Sequence, residues 1–187
     1  MIRLFAALGL PDAVRERLAL VRAPLPGARW MLPENMHVTL RFIGEVEPPV
    51  ATEIDTFLSR VDTPVFDIQL TGLGTFGSRG RVRALWAGIE KSKPLLRLQA
   101  KIETACVNAG LLPEGRKFHP HITLARCKNV PEEPANGFIA THDGFDLPAI
   151  PVDVFTLYSS RTGRAGAVYV PEATYPLVGF ATRQRSF

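Results

Sequence analysis

Two segments of the chain set histidine and threonine at the same spacing. They are Met36-His37-Val38-Thr39-Leu40-Arg41-Phe42 and Phe118-His119-Pro120-His121-Ile122-Thr123-Leu124-Ala125-Arg126. Each reads as a strand, in which alternate side chains share a face. His37 and Thr39 then point one way, and Val38, Leu40 and Phe42 the other. His121 and Thr123 repeat the arrangement against Ile122 and Leu124. The apolar face would anchor each strand in a core, and the polar face would present an imidazole beside a hydroxyl. Displacement at phosphorus needs such a set. The attacking and leaving oxygens lie roughly in line, so one group takes a proton from the incoming water while another gives one to the departing oxygen. Histidine can do either, because its ordinary pKa of about 6.5 sits near working pH. Threonine hydroxyls can donate to the non-bridging oxygens. The two histidines are far apart in the chain, so only the tertiary fold can bring them together. One His-x-Thr tripeptide carries little information, and half-buried structural histidines would give the same string. The second copy, again followed by leucine, is what favours chemistry.

The elements that must carry these strands are mixed. Ile2 to Leu10 reads as a first strand, and Pro11–Asp12 as the start of a helix bearing Val14, Leu18 and Val21. Trp30 to Gly44 is extended, with a turn at Pro33–Asn35. A second helix follows Pro48–Pro49, with Val50, Ile54, Phe57, Leu58 and Val61 on one face. Strands are expected over Phe66–Phe76 and Val82–Glu90, a third helix from about Pro94 to Ala109, and a strand over His121–Cys127. Pro131 to Gly137 reads as a proline-rich loop. Residues 152–160 and 166–170 read as a hairpin turning at Gly163 and Gly166, and Arg183 to Phe187 as frayed. The pattern predicts a single α+β unit over residues 1–187, with largely antiparallel sheet and a suggestion of duplication, since a helix followed by a His-x-Thr strand occurs in each half.

A chain of 187 residues with 46% hydrophobic and 21% charged residues can bury a core without disulfides or structural metal. Cys106 and Cys127 sit in apolar segments and read as buried thiols rather than as a disulfide or a nucleophile. The apolar start, MIRLFAALGL, is too short to span a bilayer and lacks the marks of a signal peptide, so a cytoplasmic protein is expected. A net charge of +4 suits an anionic partner without requiring one.

RWMLPENMHVTLRFIGEV and FHPHITLAR resemble the two signature segments of the 2H phosphoesterase superfamily, in its RNA 2′,3′-cyclic phosphodiesterase branch, also called the 2′-5′ RNA ligase family. Both tetrapeptides are matched, at His37–Leu40 and His121–Leu124, with flanking agreement over Glu34–Asn35, Phe42–Val46, Phe118-x-Pro120 and Ala125–Arg126. The resemblance implies a bilobal α+β fold, with two pseudo-symmetric lobes of mostly antiparallel sheet and flanking helices around a central cleft. It implies hydrolysis of RNA or nucleotide 2′,3′-cyclic phosphates to 2′-phosphates; no cofactor or metal is expected, and a monomer is expected with the oligomeric state left open by the residues. His37 would be the proton donor and His121 the proton acceptor, roles the residues alone do not distinguish. Some members also join RNA ends through a 2′-5′ linkage, the same step in reverse.

Arg126 matches a family arginine that could neutralise the phosphate, although strict alternation puts it opposite His121 unless a bulge turns it inward. Arg41 falls on the His37 face, where it could approach an RNA backbone or stay solvated. His119 and His121 form a His-x-His pair able to bind metal, but no third ligand is near in sequence. His142 reads as a loop residue. Phe76, Arg79, Arg81, Arg83 and Trp86 surround a glycine-rich turn and could stack a base, yet Phe76 and Trp86 read as core. Gly72-x-Gly74 is no dinucleotide fingerprint. The same site could serve a smaller substrate, such as a cyclic phosphate of a mononucleotide or an ADP-ribose derivative. A non-catalytic RNA- or nucleotide-binding module is the alternative from another class. It would have no need of both a proton donor and an acceptor.

Overall fold

The computed structural model describes residues 1–142, 144–163 and 166–178. The frayed end expected over Arg183–Phe187 and residues 164–165 at the expected hairpin turn lie outside them, while Gly163 and Gly166 on either side of that turn are paired. The apolar run at the start of the chain forms strand β1 (Ile2–Gly9), and the break at Pro11 opens helix α1 (Asp12–Ala19). Strand β2 (Ala28–Trp30) and a 3-10 turn at Pro33–Asn35 lead into β3 (His37–Val46). The prolines at 48 and 49 occupy the first turn of α2 (Pro48–Leu58), where no amide is needed for the helix ladder. Strands β4 (Phe66–Ile68), β5 (Leu70–Ser78) and β6 (Arg81–Ile89) precede α3 (Lys93–Asn108), whose Ser92 cap accepts from the Leu95 amide. Strand β7 (His121–Pro131), helix α4 (Glu132–Thr141) and strands β8 (Ile150–Val152), β9 (Val154–Gly163) and β10 (Gly166–Pro176) complete the described chain.

Seven strands run in the order β10-β9-β1-β3-β7-β6-β5, with β2 paired to β7 as the eighth, and every pair among them is antiparallel. The mixed α+β, largely antiparallel architecture is the expected one. The sheet falls into two groups, β10-β9-β1-β3 and β7-β6-β5 with β2. One registered pair, Val38 with Ile122, joins β3 to β7. These are the second residues of the two His-x-Thr segments. Strands β4 and β8 make a separate two-stranded sheet, so the single strand expected over 66–76 is broken at Gln69, whose amide group donates to the Leu147 carbonyl and the Asp146 carboxylate. Helix α3 packs on α2 and β3, while α4 covers β5, β6 and β7. Leu95, Leu98 and Ile102 of α3 are fully buried, each contributing about 1.5–3 kcal/mol of apolar burial.

Helix α4 replaces the loop expected over Pro131–Gly137. Pro131 stands before the helix and Pro134 in its first turn, where neither removes a helical hydrogen bond. Glu132 and Glu133 complement the positive end of the helix dipole. Ala135 and Phe138 are buried at helical spacing. Arg41 is neither solvated nor directed at a substrate: it is buried, 7% exposed, between Glu103 Oε2 at 2.9 Å and Glu114 Oε2 at 3.3 Å, and it donates to the Leu112 carbonyl at 2.6 Å. The cause is a bulge. Ala6 pairs with Arg41 and Ala7 with Thr39, so Leu40 is the extra residue and the alternation of β3 flips beyond it. No helix among the described residues is long and apolar enough to cross a membrane.

Candidate active site

Because Val38 pairs with Ile122 in antiparallel sense, β3 runs His37 towards Thr123 and Thr39 towards His121. The two segments are thereby related by a local two-fold axis, and all four polar side chains line one cavity of about 420 Å3. The bulge at Leu40 has a counterpart in β7. Leu85 pairs with Ala125 and Trp86 with Thr123, leaving Leu124 as the extra residue. Beyond each bulge a new side chain swings onto the cavity face: Phe42 from β3 and Arg126 from β7. Arg126 therefore reaches the site by the irregularity that strict alternation required of it.

Both imidazoles are oriented in the same way. His37 Nδ1 donates to the Asn35 carbonyl at 2.8 Å, and His121 Nδ1 to the His119 carbonyl at 2.6 Å. Each acceptor lies two residues before its histidine. With Nδ1 committed to the backbone, Nε2 of each ring carries the lone pair in the neutral form. The Thr39 hydroxyl donates to His37 Nε2 at 3.1 Å. Burial is the main force on both pKa values. It pushes His37 down from the ordinary 6.5 to about 4, with smaller contributions in the same direction from His121 and Arg126, partly offset by the Asn35 carbonyl. His121 is also lowered, by burial first and then by His119, with its carbonyl bond opposing. Both shifts favour the neutral rings in the free protein.

The surroundings are aromatic and cationic. Phe5 packs on His37 with ring centroids 4.9 Å apart, and Tyr169 meets the same ring edge-on at 5.2 Å. Phe76 stands edge-on to His121 at 4.8 Å. Arg3, Arg29 and Arg126 all line the cavity, and among the described lining residues there is no carboxylate. Such a site favours a ligand with localised negative charge and an apolar part. The sequence reading missed Phe5, Asn35, Phe42, Tyr169 and Arg3. Asn35 acts through its backbone carbonyl, which no side-chain pattern reveals, and its side chain holds the Ala167 carbonyl at 3.0 Å. Phe5 is the one aromatic residue of β1, a signal that could have been read.

Other expectations are corrected. Phe76 and Trp86 are half-buried against His119 and His121, not core. His142 caps the end of α4, with Nδ1 at 2.8 Å from the Phe138 carbonyl, rather than sitting in a free loop. Cys106 is a buried free thiol, as expected, pushed up to about 11 by burial, whereas Cys127 is only half-buried. Among the described residues no group of three histidine, cysteine or acidic side chains is placed to hold a metal ion.

A family model described as LigT like Phosphoesterase matches residues 8–86 and 88–169. An RNA 2′,3′-cyclic phosphodiesterase of Aeropyrum pernix is 38% identical over 138 residues, covering 73% of this chain and 78% of the relative. One of Thermotoga maritima is 31% identical over 176 residues, covering 90% and 91%. Among solved structures, Escherichia coli LigT complexed with 3′-AMP superposes with a TM-score of 0.76 at 27% identity, over 95% of this chain and 98% of that one. A protein of Thermus thermophilus superposes at 0.74 with 29% identity, over 95% and 99%.

Proposed function

The chain belongs to the LigT-like phosphoesterase family, and from that membership we propose that it hydrolyses RNA 2′,3′-cyclic phosphate ends to 2′-phosphates, with His37 and His121 as the acid–base pair. The observation that carries this reading is the antiparallel pairing of Val38 with Ile122, because it turns two imidazoles and two hydroxyls onto one arginine-lined cavity. Water attacks phosphorus opposite O3′ and yields its proton to His121 Nε2. His37, protonated at Nε2, gives its proton to O3′ as the P–O3′ bond breaks. Proton transfers through solvent then restore both rings. Once His37 Nε2 carries a proton it no longer accepts from Thr39, so that hydroxyl becomes available to a non-bridging oxygen, as Thr123 is on the opposite side. Arg126 balances the phosphate charge. The protein acts as a monomer in this reading.

The test is incubation with an oligonucleotide ending in a 2′,3′-cyclic phosphate, with EDTA present. Ring opening to a 2′-phosphate is expected. A 3′-phosphate product reverses the leaving group, and an unchanged substrate removes the reading.

The pH dependence has a definite sign. The donor must be protonated and the acceptor neutral, and kcat/KM reports the free protein. With His37 near 4 and His121 below the ordinary 6.5, the bell for kcat/KM lies on the acid side and falls as pH rises through neutrality. A bound phosphate anion favours both protonated rings, so the kcat profile is displaced to higher pH. Parallel measurements of kcat and kcat/KM between about pH 4 and 9 check this; a kcat/KM that climbs from about pH 6 to 8 contradicts it.

A further inference from the structure

We propose that the face of the β5–β6 hairpin beside His121 is a platform for single-stranded RNA. On it the base of a nucleotide neighbouring the cyclic end stacks against Trp86 and Phe76, and the exposed arginines Arg79, Arg81 and Arg83 meet backbone phosphates. The proposal rests on the cyclic phosphodiesterase reading and names the length of substrate that this site takes.

The strand register makes the platform continuous with the site. Residues paired across neighbouring strands share a face. Three rows cross the sheet from β7: Arg126–Ala84–Phe76, Thr123–Trp86–Gly74 and His121–Gly88. Every β7 member of these rows lines the cavity. Helix α4 packs on these three strands, where Val82, Leu85, Ala87, Ile122, Leu124 and Ala125 are buried. The rows stay partly open at Phe76 and Trp86, which are half-buried, and His119, just before β7, is exposed beside them.

The residues between the aromatics are small, which lets the rings lie along the sheet. A Cβ on Gly74 would stand 2.2 Å from Trp86 Cη2, so the indole is spread over that glycine. A Cβ on Gly88 would stand 3.1 Å from Cζ3 of the same ring. Phe76 lies 5.3 Å from Trp86, and His119 lies 5.3 and 5.2 Å from the two rings, all between centroids. A partly open surface of aromatic rings on a sheet is suited to unpaired bases, whose π-faces stack without regard to sequence. A closed apolar pocket would instead exclude the charged backbone.

The charge beyond the aromatics is complementary to that backbone. Arg79, Arg81 and Arg83 are exposed at the hairpin tip, and Val82 between the last two is buried. The polar contact of Arg81 is with the Asn129 carbonyl, at 3.4 Å. Arg79 is held at a φ of 54°, in the tight turn that Gly80 completes. A mononucleotide held by the cavity would leave this strip unused; a chain of about two to four nucleotides would cover it.

The experiment compares kcat/KM for a nucleoside 2′,3′-cyclic monophosphate with that for a tetranucleotide bearing the same end. The tetranucleotide is expected to be favoured by about tenfold or more, the lower part of what stacking one base contributes. Trp86→Leu is expected to bring the ratio towards one. Arg79→Gln with Arg81→Gln, both at exposed positions, is expected to lower the ratio and to flatten the salt dependence of the tetranucleotide KM. The ratio is the readout, because a buttress for His121 alone would change both substrates together. A wild-type ratio near one, or a ratio unmoved by both variants, overturns the platform while leaving the hydrolytic reading intact. If neither substrate is turned over, the hydrolytic reading fails. The platform is then decided by quenching of Trp86 fluorescence, in a Trp30→Phe background, by a tetranucleotide ending in a 2′-phosphate: saturable quenching supports it and none overturns it.

Discussion

Replacement of His121 by alanine is expected to lower turnover of a 2′,3′-cyclic phosphate end by about a thousandfold, within the range that a positioned acid or base contributes. His37→Ala is expected to do the same. The double variant should fall little further than either single one, because groups that act in one step do not contribute additively. Each ring is half-buried at the cavity wall, so loss of the imidazole leaves the sheet in place and the far-UV spectrum unchanged. Single-turnover rates with each variant measure the effect. A variant that is folded and keeps more than about a tenth of wild-type activity removes that histidine from the chemistry. Asparagine at either position provides a second comparison, since it preserves polarity without a group that titrates near neutrality.

Arg41→Ala is expected to cost about 3–5 kcal/mol of stability, the range for breaking one side of a buried ion pair. The guanidinium links three parts of the chain. It stands between Glu103 on α3 and Glu114 in the following loop, and it donates to the Leu112 carbonyl. Its removal leaves Glu103 without its cation and Glu114 with only the exposed Arg116. The contact to Glu103 is one of charge without hydrogen-bond alignment, so the bond to Leu112 carries the directional part. Urea denaturation measures the loss. Arg41→Met, which removes the charge but keeps the stem, should recover little while both glutamates remain. A cost below about 1 kcal/mol, the scale of a surface pair, contradicts the assignment.

The chemistry-bearing residues were legible because they lie ahead of the irregularities. His37, Thr39, His121 and Thr123 obey simple alternation, and the repeated string pointed at the face they share. Arg41 and Phe42 follow the bulge at Leu40, so the same rule exchanged their faces: the arginine is buried and the phenylalanine lines the cavity. Arg126 was read with the bulge as a condition, and Leu124 satisfies it. Helix α4 was obscured by Pro131, Pro134 and Gly137, residues that signal a loop unless the prolines fall at the helix start. Trp86 sits in Ala-Leu-Trp-Ala, a string that reads as core; its half-exposed state depends on Gly74 across the strand pair, a partner that only register identifies. The tautomer-setting carbonyls of Asn35 and His119 belong to the backbone and leave no trace in residue type.

The paired bulges also bear on regiochemistry. A pocket with identical corners would accept the five-membered phosphate ring in either of two orientations, and could not choose which ribose oxygen departs. Corresponding positions past Leu40 and Leu124 hold a phenyl ring in one strand and a guanidinium in the other. That mismatch, together with Phe5 and Tyr169 against His37 and Phe76 against His121, makes the two corners chemically unlike, so the two orientations of a bound nucleotide are expected to differ in energy.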